Sequence, residues 1–265
     1  MKEPAIFVTG AAGGIGLALL HQISENPQLG NYRIIATDLP SALATLSPAD
    51  LPPQVELHPL DVTDRQTLTT LVGQLADRYL FLGLAQLAGI LDHGPALSRA
   101  PGVLRRLTEV NALAVAHTCD VFAALMLEQA AQDPAGSPVP DRSIVTVASN
   151  AGNGPRANMA AYGASKAFAS HYTRSLGLEL GPRGIRCNVV NPGTTFTPMV
   201  EKMWQGEDHS TTAIEGSPEL YRTGIPLGRV AQPADVAAPV TFLLSPAARH
   251  ITLAELTVDA GATQR

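Results

Sequence analysis

Cysteine is scarce: Cys119 and Cys187 are the only two in 265 residues, and they lie far apart in the chain. That count excludes a disulfide-stapled scaffold and suits two small buried hydrophobes in a reducing compartment. Basic runs are absent as well. Eighteen Lys and Arg stand against 23 Asp and Glu, a net charge of −5, so no polybasic surface for nucleic acid or an anionic membrane is expected. One well-placed Arg can still hold an anionic small molecule at contact range. No stretch reaches the roughly 18 uncharged apolar residues that a membrane span needs. The opening MKEPAIFVTG has no basic region leading into an apolar one, so no signal peptide is expected. Asn-x-Ser/Thr acceptors, His-Glu-x-x-His and Gly-x-Ser-x-Gly are all missing, which argues against zinc or serine hydrolase chemistry. The expectation is a cytoplasmic protein with no metal.

What is present is a large apolar fraction, 45% of the residues, enough to bury a substantial core. Apolar β-rich runs at 5–9, 33–37, 55–60, 80–88, 143–148, 185–190 and 254–258 alternate with helical patterns. Those patterns cover 14–25, 64–78, 102–129, 161–180 and 233–244, and the Pro-rich stretch 133–141 reads as a solvated loop. Strands that are apolar throughout and alternate with helices predict an α/β fold. We expect a single doubly wound parallel sheet of the Rossmann type, residues 1–265, with helices on both faces.

The first strand ends in Thr9-Gly10-Ala11-Ala12-Gly13-Gly14-Ile15-Gly16 and opens the first helix. Glycines there let backbone N–H groups approach a pyrophosphate at a helix N-terminus, where the dipole favours negative charge. Gly10, Gly14, Ile15 and Gly16 are therefore candidate cofactor contacts. Asp38 closes the second strand, where an acid binds the adenosine ribose hydroxyls. It would repel a 2′-phosphate, and no Arg or Lys lies in the glycine loop or just after Asp38. The sequence favours NAD over NADP.

Tyr162-Gly163-Ala164-Ser165-Lys166 puts a phenol and an ammonium one helical turn apart. A phenol with pKa near 10 is a poor base at neutral pH, and a neighbouring cation lowers it. Ser149, thirteen residues earlier at a strand end, can hydrogen-bond a substrate oxygen beside the Tyr. With an upstream dinucleotide loop and a strand-end Ser, this Tyr–Lys pair reads as part of a site rather than as a surface helix pair.

The set TGAAGGIG, Asp38, Asp61-Val62, Asn111, Ser149, YGASK and NPGTTFT resembles the short-chain dehydrogenase/reductase family across the whole chain. The resemblance implies a catalytic tetrad of Asn111, Ser149, Tyr162 and Lys166. Asn111 would hold, through its backbone, a water linking Lys166 to solvent, and Lys166 would also bind the nicotinamide ribose. Asp61 and Val62 would flank the adenine, Ala88 and Gly89 would contact the cofactor, and Pro192, Gly193, Thr195 and Thr197 would border the nicotinamide. The family's Asn-Asn-Ala-Gly segment reads Gln86-Leu87-Ala88-Gly89 here, so a strand-stabilising Asn is missing. A homotetramer is implied, with 161–180 and the C-terminal segment in its interfaces.

The segments IVTVASNAGNGPRANMAAYGASK, LGLELGPRGIRCNVVNPGTT, TGIPLGRVAQPADVA and HITLAELTVDAGAT, spanning roughly 143–263, carry a closer likeness, resembling dehydrogenases of 2,3-dihydro-2,3-dihydroxybenzoate that serve siderophore synthesis. It implies oxidation of a ring hydroxyl of a cyclohexadiene carboxylate, with aromatisation drawing the reaction forward. A carboxylate calls for a planar bidentate cation, and Arg156 lies between Ser149 and Tyr162 in sequence. Asp92 stands where those enzymes carry an Arg. An acid there suits an amino-bearing ring, so trans-2,3-dihydro-3-hydroxyanthranilate is the alternative substrate. Residues 198–224 fall where the family has its substrate lid, and Met199, Met203 and Trp204 have the spacing to cover a ring. Two rival readings are a non-catalytic NAD sensor, which an intact tetrad argues against, and an NADPH-dependent reductase, which Asp38 argues against.

Overall fold

The computed structural model describes residues 2–133 and 140–263; 134–139, within the expected Pro-rich loop, lie outside the described residues. Seven parallel strands form one sheet in the order β3-β2-β1-β4-β5-β6-β9. They are β1 (Glu3–Thr9), β2 (Arg33–Asp38), β3 (Val55–Pro59), β4 (Tyr79–Gln86), β5 (Arg142–Val147), β6 (Ile185–Pro192) and β9 (Glu255–Val258). The chain winds outward one way from β1 to β3, then restarts at β4 on the other side of β1. That reversal opens a crevice at the C-terminal ends of β1 and β4.

Helices cover both faces. On one, α1 (Gly14–Glu25) packs with α10 (Pro233–Leu244): Leu19, Leu20 and Ile23 meet Val236, Val240 and Leu244 against Val8, Ala36 and Val145. On the other lie α3 (Arg65–Ala76), α5 (Ala114–Ala130) and α7 (Ala160–Leu180), with Phe7, Phe81 and Phe122 in mutual aromatic contact at the centre. Helix starts follow local chemistry. Asp64 caps α3 by accepting from the Thr67 N–H at 3.0 Å, and Pro233 opens α10 inside a Gln232–Asp235 capping box. Short helices α2 (Pro40–Leu43), α4 (Pro101–Thr108) and α6 (Asn150–Asn153) fill connections. After β6 the chain forms α8 (Pro198–Met203), α9 (Ser210–Glu215) and a small hairpin of β7 (Gly216–Ser217) and β8 (Arg222–Thr223).

The helix expected over 102–129 is present and runs unbroken over Pro101–Ala130, with an irregularity inside it. The helix comprises α4, one π-helical turn at Glu109–Leu113, then α5. The wider turn lets Asn111 leave the regular helical position and reach the backbone beyond β4. The same Pro101–Ala130 stretch is apolar and long enough to cross a bilayer, yet 56% of its most apolar window is buried, as befits a core helix.

The missing strand-stabilising Asn has a substitute. Gln86 Nε2 donates to Thr146 Oγ1 on β5 at 3.2 Å and to Cys119 Sγ on α5 at 2.9 Å. The Thr9 hydroxyl accepts from the N–H groups of both Leu87 and Ala88 at 3.2 Å, tying the ends of β1 and β4 together. Cys119 and Cys187 are buried, and burial pushes each thiol up to about 12.

Candidate active site

Two backbone features shape the crevice. Gly10 has φ +69° and approaches the chain beyond β4 so closely that a Cβ would lie 2.6 Å from Ala88 N. A Cβ on Gly16 would lie 2.2 Å from Gly10 O. Only glycine lets this turn fold flat under the N-terminus of α1. No side chain caps that helix, so its first-turn N–H groups are free to meet an anion. Gly14 faces the Thr197 side chain across the groove. The cradle fits the pyrophosphate of a dinucleotide.

Asp38 turns toward the same loop: Oδ2 accepts from Ala12 N at 3.0 Å, and Oδ1 from Leu39 N at 2.8 Å. Asp61 is exposed, and its Oδ1 accepts from the Thr63 N–H and hydroxyl. Val62 packs beside it onto the second core cluster. Both follow β3, next to the end of β2, on the side where an adenine would lie.

Toward the other end of the crevice, one cavity of about 140 Å³ is lined by Ile15, Gly89, Ser149, Arg156, Tyr162, Lys166, Pro192, Gly193, Thr195, Thr197, Met199 and Met203. Twelve expected site residues, from five parts of the chain, thus share one wall. Ile90, Leu91 and Met159 add apolar surface that the sequence reading did not single out. Trp204 is elsewhere: it packs edge-on to Phe196 and His209 in a separate cluster under Ile225 and Val230. It anchors the segment and does not cover a ring.

Asn111 lies beneath the cavity, fully buried. Its Oδ1 accepts from Ile90 N at 2.8 Å, while Nδ2 donates to Ile90 O at 2.9 Å and Ser165 Oγ at 3.0 Å. Ser165, within YGASK, is a support that its sequence position could have suggested. A Cβ on Gly89 would come within 3.0 Å of Lys166 Nζ and 3.2 Å of Asn111 Oδ1, so these groups converge under a residue that must be small.

Lys166 was expected to sit against Tyr162 and draw down its pKa. Instead Nζ donates to Val147 O at 3.2 Å, and burial lowers the ammonium to about 8. Burial also holds Tyr162 above the usual phenol value; the Ser149 hydroxyl and the Arg156 guanidinium act the other way. Arg156 is thus a cation that favours the phenolate. Burial lowers Arg156 itself to about 10.

Asp92 does not face this cavity. Its carboxylate pairs with Arg99 and lines an adjoining recess with His93, Lys202 and Gln205. Among the described residues no group of three or more His, Cys, Asp or Glu could hold a metal.

Comparison with known proteins agrees with this geometry. A family model described as enoyl-(acyl carrier protein) reductase matches residues 10–263. The chain belongs to the short-chain dehydrogenase/reductase family. Members of this family use nicotinamide cofactors, the group the glycine cradle fits. A vibriobactin-specific 2,3-dihydro-2,3-dihydroxybenzoate dehydrogenase of Vibrio cholerae is 35% identical over 263 residues, 97% of this chain and 95% of that one. A 2,3-dihydro-2,3-dihydroxybenzoate dehydrogenase of Bacillus subtilis is 35% identical over 259 residues, with the same shares covered. Ligand-free aldohexose dehydrogenase of Thermoplasma acidophilum superposes with a TM-score of 0.81 at 26% identity, covering 100% of this chain and 95% of that one.

Proposed function

We propose that this short-chain dehydrogenase oxidises a ring hydroxyl of 2,3-dihydro-2,3-dihydroxybenzoate, a cyclohexadiene carboxylate, giving 2,3-dihydroxybenzoate with NAD as the cofactor. The observation that carries the reading is Arg156, a cation without an ion-pair partner among the described residues. It stands on the wall that also holds Ser149 and Tyr162. A substrate with a carboxylate near its reacting hydroxyl meets both needs at once. The named activities of the Vibrio and Bacillus relatives support the same substrate.

Bound NAD supplies the acceptor for the hydride that leaves the carbinol carbon. Tyr162 takes the hydroxyl proton, Ser149 orients that oxygen, and the resulting ring ketone tautomerises, a proton leaving the ring carbon and one being taken up by the carbonyl oxygen, to become the phenol. Lys166 holds the nicotinamide ribose and passes the proton onward, while Asn111 fixes the backbone around the relay through Ile90 and Ser165. Gly10, Gly14, Ile15, Gly16, Ala88 and Gly89 carry the dinucleotide backbone, with Asp61 and Val62 at the adenine. Pro192, Gly193, Thr195 and Thr197 stand at the nicotinamide. NAD is favoured over NADP by Asp38, which has no basic neighbour in the loop before it or the segment after it. Met199 and Met203 give an apolar cover, and 198–224 acts as the lid.

The exposed apolar Leu104, Leu113 and Phe168 on and around α4, α5 and α7 support a homotetramer, as does Leu256 on β9. Light scattering returning a monomer would refute it. The unpaired buried cysteines suit the cytoplasm.

The test is initial-rate NADH formation from the dihydroxy acid and from its 2-amino analogue. The dihydroxy acid is expected to give the higher kcat/KM, because the carboxylate that would greet an amino group, Asp92, is engaged by Arg99. No turnover of the dihydroxy acid sinks the assignment.

A further inference from the structure

A second cavity, of about 560 Å³, lies behind Arg156 and shares that residue with the catalytic cavity. Its far side is the β7–β8 hairpin, which contributes Arg222. Two half-buried guanidiniums thus border one space, one from the loop after α6 and one from the lid segment. Neither has an ion-pair partner among the described residues, although Arg33, Arg78, Arg99, Arg142, Arg174, Arg186 and Arg229 all do. The acid nearest in influence, Asp259, is occupied: it accepts from Asn150 Nδ2 at 3.1 Å, from Gly261 N at 3.0 Å and from the Thr263 hydroxyl. The two cations repel each other, since Arg222 together with burial lowers Arg156, and burial lowers Arg222. Arg222 also bears on His93 at the other rim, adding to the effect of burial there.

Two like charges held together with no acid between them leave a place for an anion. We infer that Arg222 is a specificity residue, and that it and Arg156 clamp one substrate carboxylate at the wall shared by the two cavities. The inference rests on the cyclohexadiene-carboxylate reading and adds to it a contact delivered by the lid. A planar carboxylate offers two oxygens, one for each guanidinium fork. The ring then lies in the apolar catalytic cavity, with its hydroxyl at Tyr162.

The test uses Arg222→Met and Arg222→Lys in the full-length enzyme. With the dihydroxy acid, Arg222→Met should raise KM by about tenfold to a hundredfold, the worth of one charge-assisted pair, and leave kcat within about threefold. With the cyclohexadiene diol that lacks the carboxylate, kcat/KM should not change. Arg222→Lys should recover part of the loss through its charge. Equal losses on both substrates, or none on either, overturn the inference.

Calorimetry separates this from the assignment of the reaction. Benzoate and phenol are titrated into the enzyme–NADH complex of the wild type and of Arg222→Met. Tighter benzoate binding that disappears in the variant sustains the clamp even if the dihydroxy acid is not turned over. Equal binding of benzoate by both proteins, or no preference over phenol in the wild type, refutes it.

Discussion

Replacing Lys166 by Met should stabilise the ligand-free protein while destroying its activity. The ammonium is 5% exposed and donates one hydrogen bond, to Val147 O. Burial lowers it from 10.5 to about 8. At about 1.4 kcal/mol per pH unit, keeping that charge at pH 7 costs the fold roughly 3 kcal/mol. Methionine matches the stem and carries no charge, but it leaves Val147 O without its donor, a loss of about 1 kcal/mol. The net expectation is a gain of about 2 kcal/mol at pH 7.

The gain must depend on pH in one direction. Between about 8 and 10.5 the unfolded wild-type chain holds a proton that the folded chain has released. Raising the pH across that window therefore stabilises the wild type. By pH 10 about 1 kcal/mol of the cost is left, and the two proteins should be nearly equal. Urea midpoints at pH 7 and pH 10, at one fixed protein concentration, measure both differences. A variant less stable than the wild type at pH 7, or a gap equal at the two pH values, refutes the reasoning.

Gly16→Ala should cost about 3 kcal/mol and abolish cofactor binding, because its Cβ would lie 2.2 Å from Gly10 O, a backbone atom with no room to move; denaturant midpoints and NADH fluorescence titration report the two effects. Asp38→Asn should lower kcat/KM for NAD+ by about tenfold and raise that for NADP+, since a charge-assisted pair to the ribose and a repulsion of the 2′-phosphate disappear together. Unchanged preference would remove Asp38 from the cofactor site. The oxidation rate should climb with pH from neutral into the alkaline range, because burial holds the Tyr162 phenol above its usual value; a flat kcat/KM profile would remove Tyr162 as the base.

The sheet was legible because its five central strands are largely apolar, buried runs, and three of the helices begin at punctuation: Gly13 before α1, Asp64 before α3, Pro233 in α10. Ser149, Tyr162 and Lys166 were legible because their roles follow from strand end and helical spacing. The π turn was not, since the apolar period continues on both sides of Glu109–Leu113 and the extra residue is set by the contact of Asn111 with Ile90. The two-residue strands of the hairpin have no periodicity to detect. Spacing along α7 also says only that Lys166 and Tyr162 share a face. That Nζ turns down to Val147 O, and that Arg156 is a cation acting on the phenol, depends on the packing of α7 on β5 and on the path of the loop after α6. Asp92 was misread for a similar reason: its partner Arg99 lies on the same irregular loop, where sequence distance says little about contact.

The buried and half-buried cations fall into two groups, those neutralised within the fold and those left without an acid. At the N-terminal ends of β5 and β6, Arg142 grips Asp133 through two bonds of 2.9 and 3.0 Å, and Arg186 grips Asp141 through two of 2.7 and 2.9 Å. Each is neutralised within the fold, and removing either Arg would strand a carboxylate at a cost of about 3 kcal/mol. At the opposite, C-terminal end, Lys166, Arg156 and Arg222 have no acidic partner among the described residues, and burial lowers all three. A fold selected for stability alone would pair them as it pairs Arg142 and Arg186. Their electrostatic cost is instead left for a ligand to relieve, and the ligand that does so must bring negative charge to the wall where Tyr162 and Ser149 stand.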